Sequence, residues 1–353
     1  MLPTDGAPTF DVSRFPALRV RGQLLRPTAA FRSYWRLAAE RQQIFFRRLR
    51  GDVPPWTDDP VLKVHRFTNA YRASDRVSQY LINNVIYADR YDARSTALRI
   101  LLFKIFNRID TWEYIEENLG AVTADGFDAR WLSDLLDKRL AAKERLYSAA
   151  YIMPSPKLGA SRKHRNHLQL LAALLADGTL DDLISVSSLR ALYEKLSSIH
   201  SFGRFLAFQF AIDLNYSALF PFNEMDFVVA GPGARDGIAK CFFNSDGVSA
   251  EDIIAAVTES ADSWLECFEV DFPSLWGRAL QLIDCQNLFC EVDKYARVAH
   301  PDLEGPSGRT RIKQRYIPRP TPLHVAYPPK WCSEMAPMPM AGAARETVLA
   351  TSR

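Results

Sequence analysis

The stretch that most constrains the fold runs from Ser187 to Lys240. Ser187 and Ser188 stand where helix N-caps belong, and Leu189, Leu192, Tyr193, Leu196 and Ile199 then recur at helical spacing on one face. His200-Ser201-Phe202-Gly203 breaks the pattern, and Gly203 supplies the backbone freedom a tight hairpin uses. From about Arg204 to Leu214 the chain is apolar nearly all round, through Phe205, Leu206, Phe208, Phe210 and Ile212, which is the pattern of a buried helix. Gln209 and Asp213 lie four apart and so share one face of it, where burial costs free energy unless something satisfies them. A loop carrying Asn223-Glu224-Met225-Asp226 follows.

With 353 residues, 48% of them hydrophobic, the chain can bury a sizeable core as one large or two small domains. It contains no run of about eighteen apolar residues, and Met1 to Phe10 lacks the charged start and apolar block of a secretory signal. The five cysteines are an odd number without metal-like spacing. Those features predict a cytoplasmic protein with no membrane span, no metal cluster and no cofactor. His164 and His167 have no carboxylate or cysteine companion nearby in sequence, so they read as structural. The net charge of +3 is unevenly spread, with basic segments at Arg19 to Arg50 and Arg309 to Arg319. Such patches suit an anionic polymer such as DNA, and equally suit ordinary solvated faces. No G-x-x-x-x-G-K-[ST] sequence occurs, which excludes a P-loop kinase, and Gly231-Pro232-Gly233 is not a dinucleotide fingerprint. That glycine pair permits close approach to a ligand or to another helix.

Helices are expected over Thr28–Leu49, Arg94–Asn107, from Thr111 with Asp110 as cap, and over Asp128–Ala149 and Arg162–Leu175. Further ones are expected over Asp252–Phe268, Trp276–Leu282 and Cys285–Val298. Strand signals are thin throughout. Val64 to Leu81 reads mostly as a helix, with Asn69, Arg72, Arg76 and Gln79 forming a polar stripe and Tyr71 on a neighbouring one. These side-chain types read base edges and phosphates. The basic run Arg162 to His167 opposes the dipole at a helix start, which points to a partner anion. Glu291, Lys294 and Tyr295 share a face and either support a site or pair with each other. Three regions are expected: a basic extension over 1–60, a catalytic region over 61–300, and a basic Pro-rich tail over 301–353, partly ordered near Tyr316.

The hairpin Gly203-Arg204-Phe205-Leu206-Ala207, with Asp226 following Phe220-Pro221, resembles that of the helix-hairpin-helix DNA glycosylases. Lyase-type members carry a lysine two residues after the glycine; here that residue is Phe205, which argues against Schiff-base chemistry. Three blocks, RFTNAYRASDRVSQYL, HSFGRFLAFQFAIDLNYS and DFVVAGPGARDGI with the later CEVDKYAR, resemble the alpha-glutamyl/putrescinyl-thymine pyrophosphorylase-like family of DNA base hypermodification proteins. The helical domain fused to 5-hydroxymethyluracil DNA kinases is similar.

The resemblance implies an all-α, helix-hairpin-helix glycosylase-like fold with few or no strands, acting on double-stranded DNA that carries modified pyrimidines. Its implied activity is a monofunctional DNA glycosylase that flips out and excises a hypermodified pyrimidine, such as glucosylated hydroxymethylcytosine, in antiphage defence. The lack of a kinase in the sequence weighs toward that reading. The alternatives are a transferase adding an amino acid or amine to an activated hydroxymethyl-pyrimidine, and a non-catalytic reader of modified bases. On the glycosylase reading Asp226 is the ionised carboxylate facing the sugar, although an N-cap role suits it too. Asp213 and Gln209 hold the site or read the base, Asn69 is the wedge, and Tyr71, Arg72, Arg76 and Gln79 face DNA. The hairpin at Gly203 and Arg204 meets a phosphate, and Lys240 neutralises another.

Overall fold

The computed structural model describes residues 14–318 and 323–334. An irregular leader was expected over residues 1–27. Its part before Arg14 lies outside the described residues, as do Arg319 of the basic tail and the chain beyond Glu334, while residues 18–27 form two short strands instead. In chain order the elements are β1 (Leu18–Val20), β2 (Gln23–Pro27), α1 (Ala29–Leu49), α2 (Pro60–Val64) and α3 (Arg76–Tyr80), which passes into a π-helical turn over Leu81–Ile86. Next come α4 (Ala93–Phe106), α5 (Ile109–Leu119), α6 (Ala129–Ala141), α7 (Lys163–Ala176), α8 (Thr179–Ile184), α9 (Leu189–Ser198) and α10 (Arg204–Asn215). The chain ends with α11 (Pro232–Cys241), β3 (Phe242–Phe243), α12 (Ala250–Glu259), α13 (Ala261–Cys267) and α14 (Leu282–Ala299). The fold is mainly helical, as expected, with one small sheet. It divides into two units: the described residues of Met1–Arg72 with Phe227–His324, and those of Ala73–Asp226 with Val325–Arg353.

In the first unit Thr28 caps α1 by accepting a hydrogen bond from the Ala30 amide at 3.1 Å. The apolar positions of that helix then bury Phe31, Tyr34, Trp35 and Phe45. The antiparallel sheet β1-β2-β3 pairs Leu18 with Leu25 and Arg26 with Phe243. Helices α11 and α14 approach at glycines. A Cβ on Gly237 would stand 1.9 Å from the Phe289 carbonyl oxygen, and one on Gly233 would meet Cys290 Sγ at 3.2 Å. Of the glycines around Pro232, Gly233 packs on another helix, one of the two uses expected.

The second unit is built around α4 and α10. Residues 95–106 of α4 and 207–215 of α10 are buried on every side, and α9 packs on α10 through Leu189, Leu192 and Leu196. Ser188 caps α9, accepting from the Ala191 amide at 3.1 Å.

Several expected helices differ: Asp252–Phe268 divides at Ser260 into α12 and α13, and the helix expected from Thr111 starts at Ile109 with Arg108, not Asp110, at its cap. The 64–81 segment is α-helical only from Arg76, because its earlier amides are drawn away: Arg66 N donates to Gln314 O at 3.1 Å, Thr68 N to Glu291 and Arg72 N to Asp284. The helix from Asp128 stops at Ala141, where the backbone turns through Lys143 at φ 62°. Where a helix was expected over Trp276–Leu282, residues 276–281 precede α14 without helix, and Leu275–Arg278 forms a tight turn with Trp276 at φ 51° and Gly277 at φ 94°.

Candidate nucleic-acid interface

Helix α14 organises the polar surface of the first unit. Asp284 closes a capping box with Gln281 and accepts the Arg72 amide at 2.7 Å. Two turns further on, Glu291 accepts the Thr68 amide at 3.0 Å and pairs with Lys294 at 2.7 Å. The Lys294 ammonium lies 4.4 Å from the Phe67 ring centre, and Tyr295 donates to Asp59 at 2.7 Å. Burial of the Tyr295 phenol, then that carboxylate, pushes its pKa up. Glu291, Lys294 and Tyr295 therefore hold the 59–72 segment onto α14.

Along that segment runs a basic strap. Ser307 donates its amide to Asp236 at 2.8 Å, Arg297 donates to the Arg311 carbonyl at 3.0 Å, and Tyr316 N reaches Val64 O at 2.9 Å. His65 and Arg315 form an antiparallel bridge. Arg309, Arg311, Lys313 and Arg315 occupy every second position, the spacing that turns side chains of an extended chain to one side, and all four are exposed, as is Arg66. A row of exposed cations on a chain fixed at several points is suited to a phosphate backbone. The alternation was visible in the sequence, where the segment counted only as basic; what was hidden is its docking on residues 64–66.

The expected site residues divide between the units. Asn69, half-buried in the first, accepts from Arg41 at 2.7 Å. Tyr71 is buried, donating to the Arg278 carbonyl and accepting from the Leu275 amide, and burial raises its pKa. Arg72 is buried, and so is Lys240, whose ammonium lies 2.9 Å from Asp293. Lys240 thus ties α11 to α14 from inside the fold, rather than standing at a surface where a phosphate arrives.

In the second unit Arg76, Gly203, Arg204 and Asp226 are exposed. Gln79 is buried, bonded to the Ala73 carbonyl and the Ala326 amide. Gln209 and Asp213 are buried on α10, and Asp213 pairs with Lys104 of α4 at 2.6 Å. The burial expected for the two α10 side chains holds, and a lysine compensates the acid. Gly203 is the N-cap residue of α10.

The basic run at the start of α7 is answered from within. Arg165 contacts Asp134 at 2.6 Å, while Asp137 of α6 receives Arg162, His164 and Arg165. Burial pushes the Asp137 carboxyl up, but the hydrogen bonds of Arg165 and Arg162 outweigh it and hold its pKa below the ordinary value. The anion inferred from that cluster is thus a neighbouring helix. His167 is buried, accepting from Tyr147 and donating to the Pro154 carbonyl at 2.9 Å, and burial lowers its pKa to about 4. Among the described residues, no group of three or more His, Cys, Asp or Glu side chains is placed to hold a metal ion. No described helix is long and apolar enough to cross a membrane.

Comparison with known proteins turns the functional reading. Residues 28–305 match the family described as 5-hmdU DNA kinase, helical domain. A 5-hmdU DNA kinase of Bacillus phage SP10 is 27% identical over 282 residues, covering 72% of this chain and 43% of the phage protein. The chain therefore spans less than half the length of that relative. No solved structure matches, and the α9–α10 hairpin stands as local geometry. The expected hydrolytic glycosylase is overturned: the relative is named for a transfer reaction, not for cleavage of a glycosidic bond. With most of its length inside the match, the chain belongs to the family of 5-hmdU DNA kinase helical domains.

Proposed function

We propose that this chain grips DNA containing 5-hydroxymethyluracil and serves group transfer at the hydroxymethyl substituent, the transferase reading of the sequence. The observation that carries the proposal is the family match over residues 28–305. The exposed strap at Arg309 to Arg315 agrees with it, since a polyanion is the natural partner of such a row. Phosphoryl transfer calls for a cradle around nucleotide phosphates, and these 353 residues hold no Walker-type loop. Their proposed part is to hold the duplex and present the base. Asp226, exposed on its loop, is the carboxylate proposed to take a proton from an incoming nucleophile.

Competition binding with duplexes containing 5-hydroxymethyluracil or thymine tests the first half. The modified duplex is expected to bind several-fold tighter. Mass spectrometry of digested nucleosides, after incubation with an amine and pyrophosphorylated hydroxymethyluracil DNA, tests the second. An amine adduct lost in Asp226→Asn, with binding intact, supports the proposal. Equal affinity for both duplexes without any adduct overturns it, as would the appearance of abasic sites.

A further inference from the structure

The first unit contains a pocket of about 200 Å³ beside the strap. Its floor is apolar: Ile44, Trp56 and Leu62 are each at most 5% exposed. Pro55 and Lys63 form an exposed rim, joined by the half-buried Tyr316. Arg41 also lines it, its guanidinium fixed at 2.7 Å from both the Thr68 carbonyl and Asn69 Oδ1. Pockets for drug-sized ligands run to roughly 300–1,000 Å³, so this one has room for a single flat ring and not for a whole nucleotide. Apolar walls with two aromatic side chains favour an uncharged ring that can lie against them.

The neighbouring charge says what such a ring would be attached to. The two features meet at Tyr316, which lines the pocket and whose amide, closing the strap, bonds the Val64 carbonyl next to Lys63 of the rim. Exposed cations, Arg66, Lys313 and Arg315 among them, thus stand in the segments that border the pocket. A base swung out of a duplex has both properties, a flat ring carried on a polyanion. We infer that the pocket receives a pyrimidine extruded from duplex DNA while the strap holds the flanking phosphates. The inference rests on the DNA-binding half of the function proposed above and adds a place where the base is read, assigning the pocket no part in the transfer step.

The test uses the full chain and a duplex with 5-hydroxymethyluracil next to 2-aminopurine, whose fluorescence rises when its neighbour leaves the stack. The natural protein is expected to raise the signal several-fold at saturation. Leu62→Trp, which fills the pocket, should abolish the rise and weaken binding on the order of tenfold, the scale of one lost base–aromatic stack. Pro54→Trp, at another exposed lining residue, narrows the mouth and should act alike, which covers a failure of the buried variant to fold. Lys313→Ala with Arg315→Ala should keep the rise at saturation, yet reduce the salt slope of binding by about 2. A rise unchanged in both tryptophan variants, folded by circular dichroism, overturns the inference. So does tight DNA binding by the natural protein without any rise, which leaves the proposed function standing. Failure to bind any duplex overturns both.

Discussion

Each unit buries a lysine against an aspartate, and the two pairs are built differently. In the first, Lys240 of α11 lies 2.9 Å from Asp293 of α14, both 2% exposed, and Arg297 one turn along binds the same carboxylate. In the second, Lys104 of α4 lies 2.6 Å from Asp213 of α10, both 3% exposed, and the ring of Tyr151 stands 4.2 Å from the ammonium. One carboxylate is thus shared by two cations between helices packed to backbone contact. In the other unit one cation is shared between a carboxylate and an aromatic face on the loop joining α6 to α7. Taking a charge out of water is so costly that an answering charge is needed in either case. What differs is how much of the answer depends on a loop.

The largest effect expected is from Lys104→Met, which breaks the buried contact with Asp213 and should cost about 3–5 kcal/mol, as breaking a buried pair does. Lys240→Met leaves Arg297 on Asp293 and should cost about 2–3 kcal/mol. Hydrogen exchange read separately in α10 and α14 avoids assuming that two units unfold as one. Equal losses would erase the distinction drawn between the pairs. Gly237→Ala sharpens it from the backbone side. With its Cβ only 1.9 Å from the Phe289 carbonyl, α11 must move off α14, at a cost of about 3 kcal/mol, toward the top of the usual overpacking range. A neutral result in urea unfolding would mean that the helices yield easily there.

These two pairs also mark where reading the sequence succeeds and where it stops. Helices α1, α4, α9 and α10 were legible because an apolar face, or a run apolar all round, has no better solution than a packed helix. The Ser188 cap was legible for the same local reason. The burial of Asp213 was readable too, since its neighbours on α10 are apolar; the identity of its partner was not, because Lys104 comes from a distant helix. Lys240 looked like a phosphate ligand because a lysine carries the same charge whether Asp293 or DNA answers it. The 65–75 segment failed for a related reason. Polar residues three and four apart suit a helix stripe, but here Glu291 and Asp284, more than two hundred residues away, capture its amides.

The loop in the second pair can be loosened by acid. His167 holds Tyr147 and the Pro154 carbonyl, which bracket Tyr151 in sequence. The folded ring takes up a proton only near pH 4, against an ordinary 6.5 for the unfolded chain. Between those values the unfolded state binds more protons, so stability is full above pH 6.5 and falls as the pH drops. The loss should reach about 2 kcal/mol at pH 5. Urea unfolding at pH 7.5 and pH 5 should show it, and His167→Gln should flatten the difference. An undiminished pH dependence in that variant would assign it to other groups.

The smallest effect expected tests the aromatic share of the second pair alone. Tyr151 adopts φ 54°, a conformation uncommon for a bulky residue. Tyr151→Leu keeps that local cost and removes only the ring, so the change isolates the contact with Lys104. A cation held over an aromatic face and partly shielded from water contributes about 1 kcal/mol, and stability should fall by that amount. In a Lys104→Met background the part of that loss due to the contact with Lys104 should vanish, because the ammonium is gone. A loss that persists in the double variant would make Tyr151 a packing residue, stacked on Phe205 at 6.2 Å between ring centres, and the second pair would then rest on its carboxylate as fully as the first does.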